Sequence, residues 1–296
     1  MLPRTSKYGR GFGDSYLVII EFLLILFITS IFAGIFGSIV GVGGGVVIIP
    51  VLTLFLGVDI HFAIGASIVA IIGTSSGAAT TYVKDKLTNL RVGMFLELAT
   101  VAGAICGAAI AAYINSVALE LIFGSILLIM LVPTVLKIGE DIPKSPDLKG
   151  LSKRLGLTGS YTETDGAIIN YNATRPAAGL VGMAVAGILS GLLGIGGGAF
   201  KVLSMDLAMK LPMKVSTTTS NFMIGVTAAA SAGIYFARGD VDPLIIAPVA
   251  LGILIGAMIG ARLLIRSRNL TIRKAFALVL AVTAVQMILS SAGIKL

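Results

Sequence analysis

Charged side chains are scarce in this chain. Only 12% of its 296 residues are Asp, Glu, Lys or Arg, about half the share of an ordinary soluble domain. A soluble protein of this length needs a polar outer surface, and 22 basic plus 14 acidic residues cannot supply one. Thiols and imidazoles are scarcer still. The single cysteine, Cys106, lies inside an apolar run, which excludes a disulfide framework and a cysteine metal site. The single histidine, His61, leaves no histidine-rich metal site. Soluble enzymes, secreted disulfide scaffolds and disordered chains are thereby excluded, and neither a metal nor another cofactor is expected.

What is abundant is apolar surface and glycine: 56% of the residues are hydrophobic and 37 are glycine. A membrane-spanning helix takes about 20 mostly apolar residues, so the chain can supply about eight to ten. It reads as an all-α polytopic membrane protein whose main partner is the lipid bilayer. The net charge of +8 does not point to nucleic acid, because the basic residues sit in loops between apolar segments. Nor do aromatic residues interleave with them as base stacking would require. Arg4, Lys7 and Arg10 precede an apolar stretch of some 24 residues without a small-residue cleavage pattern, which reads as an uncleaved first span.

Apolar runs fall at about 17–40, 46–57, 62–83, 92–113 and 117–137, and resume at about 177–193, 199–211, 215–237, 243–265 and 272–292. Two are short. The runs 46–57 and 199–211 hold 12 or 13 residues, about 18–20 Å as helix against a hydrocarbon core of about 30 Å. Each directly follows a glycine cluster. The chain divides into a first membrane repeat with its N-terminal arm (1–137), a polar inter-repeat loop (138–176) and a second membrane repeat (177–296). A small hairpin is expected in the loop around Asp165-Gly166, between β-favouring runs.

The halves are related. An offset of 153 residues lays Gly41, Gly43, Gly44 and Gly45 on Gly194, Gly196, Gly197 and Gly198. The same ungapped offset lays Gly34 on Gly187, Ser67 on Ser220, Thr74 on Thr227 and Tyr82 on Tyr235. It also lays Gly103 and Gly107 on Gly256 and Gly260. Five segments per half is an odd number, so the second copy enters the bilayer from the opposite face, as an inverted repeat. The loops following the third, fifth, seventh and ninth segments then share one side and carry 16 of the 22 basic residues. That side is expected to be cytoplasmic, with both termini outside, although the basic N-terminal arm argues the other way.

Adjacent glycines in a helix each cost about 1 kcal/mol relative to alanine, and irregular backbone at membrane depth is tolerated only where protein or a cavity surrounds it. A break followed by a short helix turns unpaired N–H groups and a positive dipole end inward. Such an end binds anions. In an inverted repeat the two breaks meet near the midplane, where transporter substrates bind. Gly103, Gly107, Gly256 and Gly260 instead have the small-xxx-small spacing of close helix packing. The small-residue faces around Gly103 and Gly256 could pack within one protomer or between two, which leaves a homodimer open.

The two copies of the motif, GSIVGVGGGVVIIP at 37–50 and SGLLGIGGGAF at 190–200, each followed by a Ser/Thr-bearing span, resemble the TauE/SafE family of sulfite and organosulfonate exporters. The resemblance covers about 17–137 and 177–292. It implies export of a small sulfur-containing anion across the bacterial plasma (inner) membrane without ATP hydrolysis. The second copy departs from the first, with Leu203 in place of Pro50 and a distinctive Lys201.

Lys201 lies within an apolar run, three residues after the second glycine cluster. A lysine so embedded is a functional candidate by default, although it could also snorkel or pair with Asp206. Its counterpart at the 153-residue offset is Ile48. Ser67 and Thr74, like Ser220 and Thr227, share a helical face at i, i+7, with Asn221 adjacent. Their hydroxyls could donate to an anion's oxygens or bond back to their own helix. Glu97 and Asp206 are candidates for proton coupling. The favoured reading of each is an interfacial charge paired with a basic neighbour, Arg91 for Glu97 and Lys210 for Asp206, and His61 reads as a loop residue. The substrate-binding set is therefore Gly41, Gly43, Gly44, Gly45, Gly194, Gly196, Gly197, Gly198, Lys201, Ser67, Ser220, Asn221, Thr74 and Thr227.

A secondary anion transporter is the leading expectation. An intramembrane enzyme would need a clustered His/Asp/Glu set or a serine–base pair, and the spans lack one. A non-transporting receptor or scaffold has no need of paired breaks at the midplane.

Overall fold

The computed structural model describes residues 12–40, 43–82, 88–135, 151–162, 168–266 and 269–293. The first half contributes α1 (Phe12–Val40), α2 (Gly45–Pro50), α3 (Ile60–Tyr82), α4 (Leu90–Ala111) and α5 (Ser116–Val135). A short helix, α6 (Leu151–Leu155), and strands β1 (Thr158–Thr162) and β2 (Ile168–Asn172) lie between the halves. The second half contributes α7 (Pro176–Leu193), α8 (Gly198–Leu203), α9 (Met213–Arg238), α10 (Pro243–Arg266) and α11 (Asn269–Ser291). Among the described residues, eight long helices together with the short α2 and α8 match the ten apolar runs. Six of the long helices are apolar over enough of their described length to cross a bilayer. Gly41, Asp165 and Gly166 lie outside the described residues, as do the N-terminal Arg4, Lys7 and Arg10.

Each short helix runs into a π-helical turn, Val51–Phe55 after α2 and Ser204–Ala208 after α8. These turns are related by the same 153 residues. Because Leu203 stands where Pro50 does, the proline's missing N–H is not what widens the helix in both copies.

The halves exchange partners. α1 packs along α10 and α4 along α7, while α3 crosses α9 at the centre and α5 pairs with α11. Glycines set the close approaches. A β-carbon on Gly34 would strike the backbone of Ile253 and Ala257, and one on Gly187 would strike the backbone of Thr100. Gly103 lies on Ala184 and Ile188, and Gly256 on Ile31 and Ile35. The contacts of Gly34 with Ile253 and of Gly187 with Thr100 are counterparts 153 residues apart with the halves swapped, as are those of Gly256 with Ile31 and Ile35 and of Gly103 with Ala184 and Ile188. This is the packing of an inverted repeat, and it gives Gly103, Gly107, Gly256 and Gly260 the helix-packing role expected of their spacing.

Apolar side chains on the outer helices, among them Leu24, Phe32, Leu121, Leu251 and Val285, are exposed around the bundle. The polar segment between the halves is more than a loop. β1 and β2 pair antiparallel, with Gly159 opposite Tyr171. Leu157, Tyr161 and Tyr171 are buried with Val92, Leu96, Met205, Met209, Leu211 and Val215. Asn89 caps α4 by accepting from Val92 N (3.1 Å) and donates from Nδ2 to Thr158 O and Tyr171 Oη. Burial pushes the Tyr171 phenol up, and the Asn89 hydrogen bond opposes that rise.

Candidate functional site

The glycine clusters break the helices as their composition requires. Gly194, Gly196 and Gly197 have φ of 62°, 73° and 62°, and Gly43 has 82°; this left-handed region is open to glycine at little steric cost. The chain therefore folds back. Gly182 lies against Ser204 and Gly179 against Met209, and Thr174 N donates to Met209 O at 2.8 Å. α7 and α8 are thus the two arms of one helical hairpin, and α1 and α2 form its counterpart, with Gly37 against Gly43 and Gly44. Neither short helix has a side-chain cap, since its N-cap is Gly44 or Gly197.

The two hairpin tips touch. A β-carbon on Gly45 would run into Ser67 Oγ and Gly194 O. Ser67 Oγ donates to Gly194 O at 2.5 Å, and Ser220 Oγ donates to Gly198 O at 3.2 Å. Asn221 Nδ2 donates to Ser38 O at 3.1 Å, while Ser75 Oγ donates to Asn221 O at 2.6 Å. Tyr235 Oη donates to Gly191 O at 2.8 Å. Each of these bonds satisfies a carbonyl at or near a glycine break or joins one half to the other. α9 carries an unbroken buried polar run, Ser216 to Asn221.

Beside this crossing lie the three residues of greatest chemical consequence. Lys201 on α8 is fully buried, and its Nζ donates to Thr227 Oγ1 on α9 at 2.6 Å. Thr227 Oγ1 in turn donates to Glu97 Oε1 on α4 at 2.6 Å, with Met223 O as a second acceptor at 2.9 Å. Glu97 is 8% exposed, and its Oε2 has no hydrogen-bond partner among the described residues. The sequence treats these three separately, as an anion-binding lysine, a face hydroxyl and a coupling carboxylate. The fold brings them into one ammonium–hydroxyl–carboxylate chain.

Several local expectations are overturned. Glu97 is not paired with Arg91, whose Nη1 donates to Gly156 O at 3.2 Å. Asp206 is buried whereas Lys210 is exposed at φ 56°, so the i, i+4 pair does not form; the π-helical turn over 204–208 alters the spacing. Ser216 is the side chain facing the Asp206 carboxyl. Thr74 Oγ1 donates back to Ala70 O of its own helix at 3.1 Å, the same bond that Thr227 makes to Met223 O, but it lacks the links to a lysine and a carboxylate that Thr227 has. His61 sits in the first turn of α3, with Nδ1 2.9 Å from Asp59 Oδ1 and Nε2 3.2 Å from Ile114 O. There it ties α3 to the α4–α5 connection. Ser38 and Ser75 belong to the crossing but escape sequence reasoning. Their signal was weak, since isolated serines in apolar runs ordinarily bond back to their own helix.

Among the described residues no group of three or more His, Cys, Asp or Glu side chains gathers where it could hold a metal ion. Residues 26–287 match the family model described as Sulfite exporter TauE/SafE. The chain is 28% identical over 272 residues to "Probable membrane transporter protein YunE" of Bacillus subtilis, covering 90% of this chain and 97% of that protein. It is 26% identical over 243 residues to "Probable membrane transporter protein YdhB" of the same organism, covering 81% of this chain and 88% of that protein. No solved structure matches it at a significant level.

Proposed function

This chain belongs to the sulfite exporter TauE/SafE family, and from that premise we propose that it exports sulfite or a small organosulfonate by alternating access around the two glycine breaks. It is a membrane transporter, not an enzyme. The observation that carries the finer reading is the fully buried Lys201 on α8, one of two uncapped short helices whose hairpin tips touch at Gly45 and Gly194. A buried ammonium is expensive in an apolar interior, and next to backbone N–H groups free of side chains it supplies the full positive charge an anion site needs.

The anion is held by Lys201 and by backbone N–H groups of the two clusters, Gly43 to Gly45 and Gly196 to Gly198. Gly194 shapes the second break, and Gly41 is its counterpart in the first motif. Ser67, Ser220, Asn221 and Thr227 supply the surrounding polar groups, with Thr74 in the wall. Glu97 and Asp206 are the coupling carboxylates. The two opposed helical hairpins are the elements that move, and their glycines at positive φ are the pivots. We assign 1–137 and 177–296 to the two repeats and 138–176 to the connection between them. The 16 basic residues in the loops of one side support a cytoplasmic connection, termini outside, and insertion in a bacterial inner membrane.

The test is uptake into proteoliposomes of a panel of anions: sulfite, sulfate, taurine, sulfoacetate, isethionate and their carboxylate analogues. Transport of sulfite or a sulfonate in preference to the matched carboxylates is expected. Transport of carboxylates alone, or of no anion, would sink the reading.

A further inference from the structure

We propose that each anion taken up at Lys201 brings one proton with it, taken up by Glu97, with the Thr227 hydroxyl exchanging partners between the two. The proposal rests on the reading of Lys201 as the substrate-binding residue.

The geometry has four parts. Lys201 and Glu97 do not touch; one hydroxyl stands between them, 2.6 Å from each. The ammonium has three N–H groups, and Thr227 Oγ1 is its one hydrogen-bond partner among the described residues. Glu97 Oε2 is buried and has no partner. Finally, Thr227 Oγ1 already lies 2.9 Å from Met223 O, so its proton can leave Glu97 for that carbonyl without movement of a heavy atom.

Charge balance then links the two events. Without substrate, Lys201 and Glu97 sum to zero. An anion at Lys201 would leave one uncompensated negative charge in an apolar interior, which is strongly unfavourable. A proton on Glu97 restores neutrality. Coming from bulk water, it bonds to a carboxylate oxygen, and the new O–H donates to Thr227 Oγ1. The Thr227 proton then points to Met223 O, and the remaining Lys201 N–H groups face the anion. No covalent bond other than this O–H is made.

Among the described residues no other ionisable group is hydrogen-bonded to Lys201 or Thr227, so Glu97 is the one most directly placed to supply the compensating charge. α7 has no ionisable side chain along its length, and the others on α4 are Arg91, at its first turn and bonded to Gly156, and the exposed Cys106. On α9, Lys214 and Arg238 lie near opposite ends, Arg238 pairs with Asp240, and Tyr235 is bonded to Gly191 O. Asp206, on the π-helical turn that follows α8, faces Ser216.

The test is calorimetric titration of the full chain in lipid nanodiscs with methanesulfonate, which is fully ionised throughout. Titrations in buffers of different ionisation enthalpy read proton uptake directly. About one proton should enter per anion, and the Kd should rise about tenfold per pH unit once Glu97 ionises. Glu97→Gln should bind methanesulfonate with no proton uptake and a flat pH profile. Binding by the unmodified protein without proton uptake overturns the linkage, and this result does not depend on the variant folding. The same pH slope in Glu97→Gln overturns it as well. If the unmodified protein does not bind methanesulfonate or sulfate at all, the anion site itself fails, and the linkage fails with it.

Discussion

Thr227 Oγ1 lies 2.6 Å from Lys201 Nζ and so joins a helix of the second half to Glu97 of the first. Both charged partners are buried, so this one hydroxyl satisfies groups that would otherwise be stranded. Thr227→Val keeps the shape and removes the hydroxyl. It is expected to destabilise the protein by about 1–3 kcal/mol, the usual effect of leaving buried polar groups unpaired. Thr227→Ser should recover most of the loss. Thermal unfolding of the three proteins in one detergent checks this; equal melting of Val and Ser variants would mean that the hydroxyl contributes nothing.

Close helix packing makes a second, independent prediction. A β-carbon on Gly187 would strike the backbone of Thr100, whereas Gly233 has nothing within 4 Å of its β-carbon position. Gly187→Ala should therefore lower the melting temperature. Gly233→Ala, inside α9, should raise stability by up to about 1 kcal/mol through helix propensity. Measuring both variants side by side checks the swapped packing of the halves.

These contacts mark what sequence reasoning could and could not reach. The ten helical segments, the two breaks and the 153-residue relation follow from hydrophobic period and glycine placement, both of which are local. The partner of Glu97 does not. Local rules put Arg91 beside it, while the fold brings in Lys201, 104 residues away in the other half. Nothing in a linear pattern says that α4 packs on α7 and α9 rather than on its own half. Thr74 and Thr227 occupy equivalent positions yet behave differently. Both hydroxyls bond back four residues along their own helix, but the first has Ile48 and Ala250 where the second has Lys201 and Glu97, and so among the described residues it keeps that bond alone. The Asp206–Lys210 pair failed for a different reason, because a π-helical turn does not keep the four-residue spacing of an α-helix.

A pH effect follows at the start of α3. Burial alone would raise the Asp59 carboxyl, but hydrogen bonds from His61 N and Ser116, together with the His61 ring, outweigh it and hold the carboxyl below its ordinary value. A carboxylate lowered on folding stabilises the fold above its unfolded value, and the contribution is lost as pH falls through the folded one. The window therefore lies below about pH 4. Acid melting of Asp59→Asn should show a smaller loss of stability across that window than the parent. Identical acid profiles would contradict this stabilising role of the Asp59 carboxylate.

The most direct measurement is anion flux into proteoliposomes by Lys201→Ala set against the parent, with Lys210→Ala as an exposed-lysine control. If Lys201 supplies the charge of the anion site, its loss should reduce sulfite or sulfonate flux by at least about tenfold, the factor that corresponds to 1.4 kcal/mol. The control should transport as the parent does. A folded Lys201→Ala protein that moves these anions at the parental rate would contradict the placing of the site at Lys201.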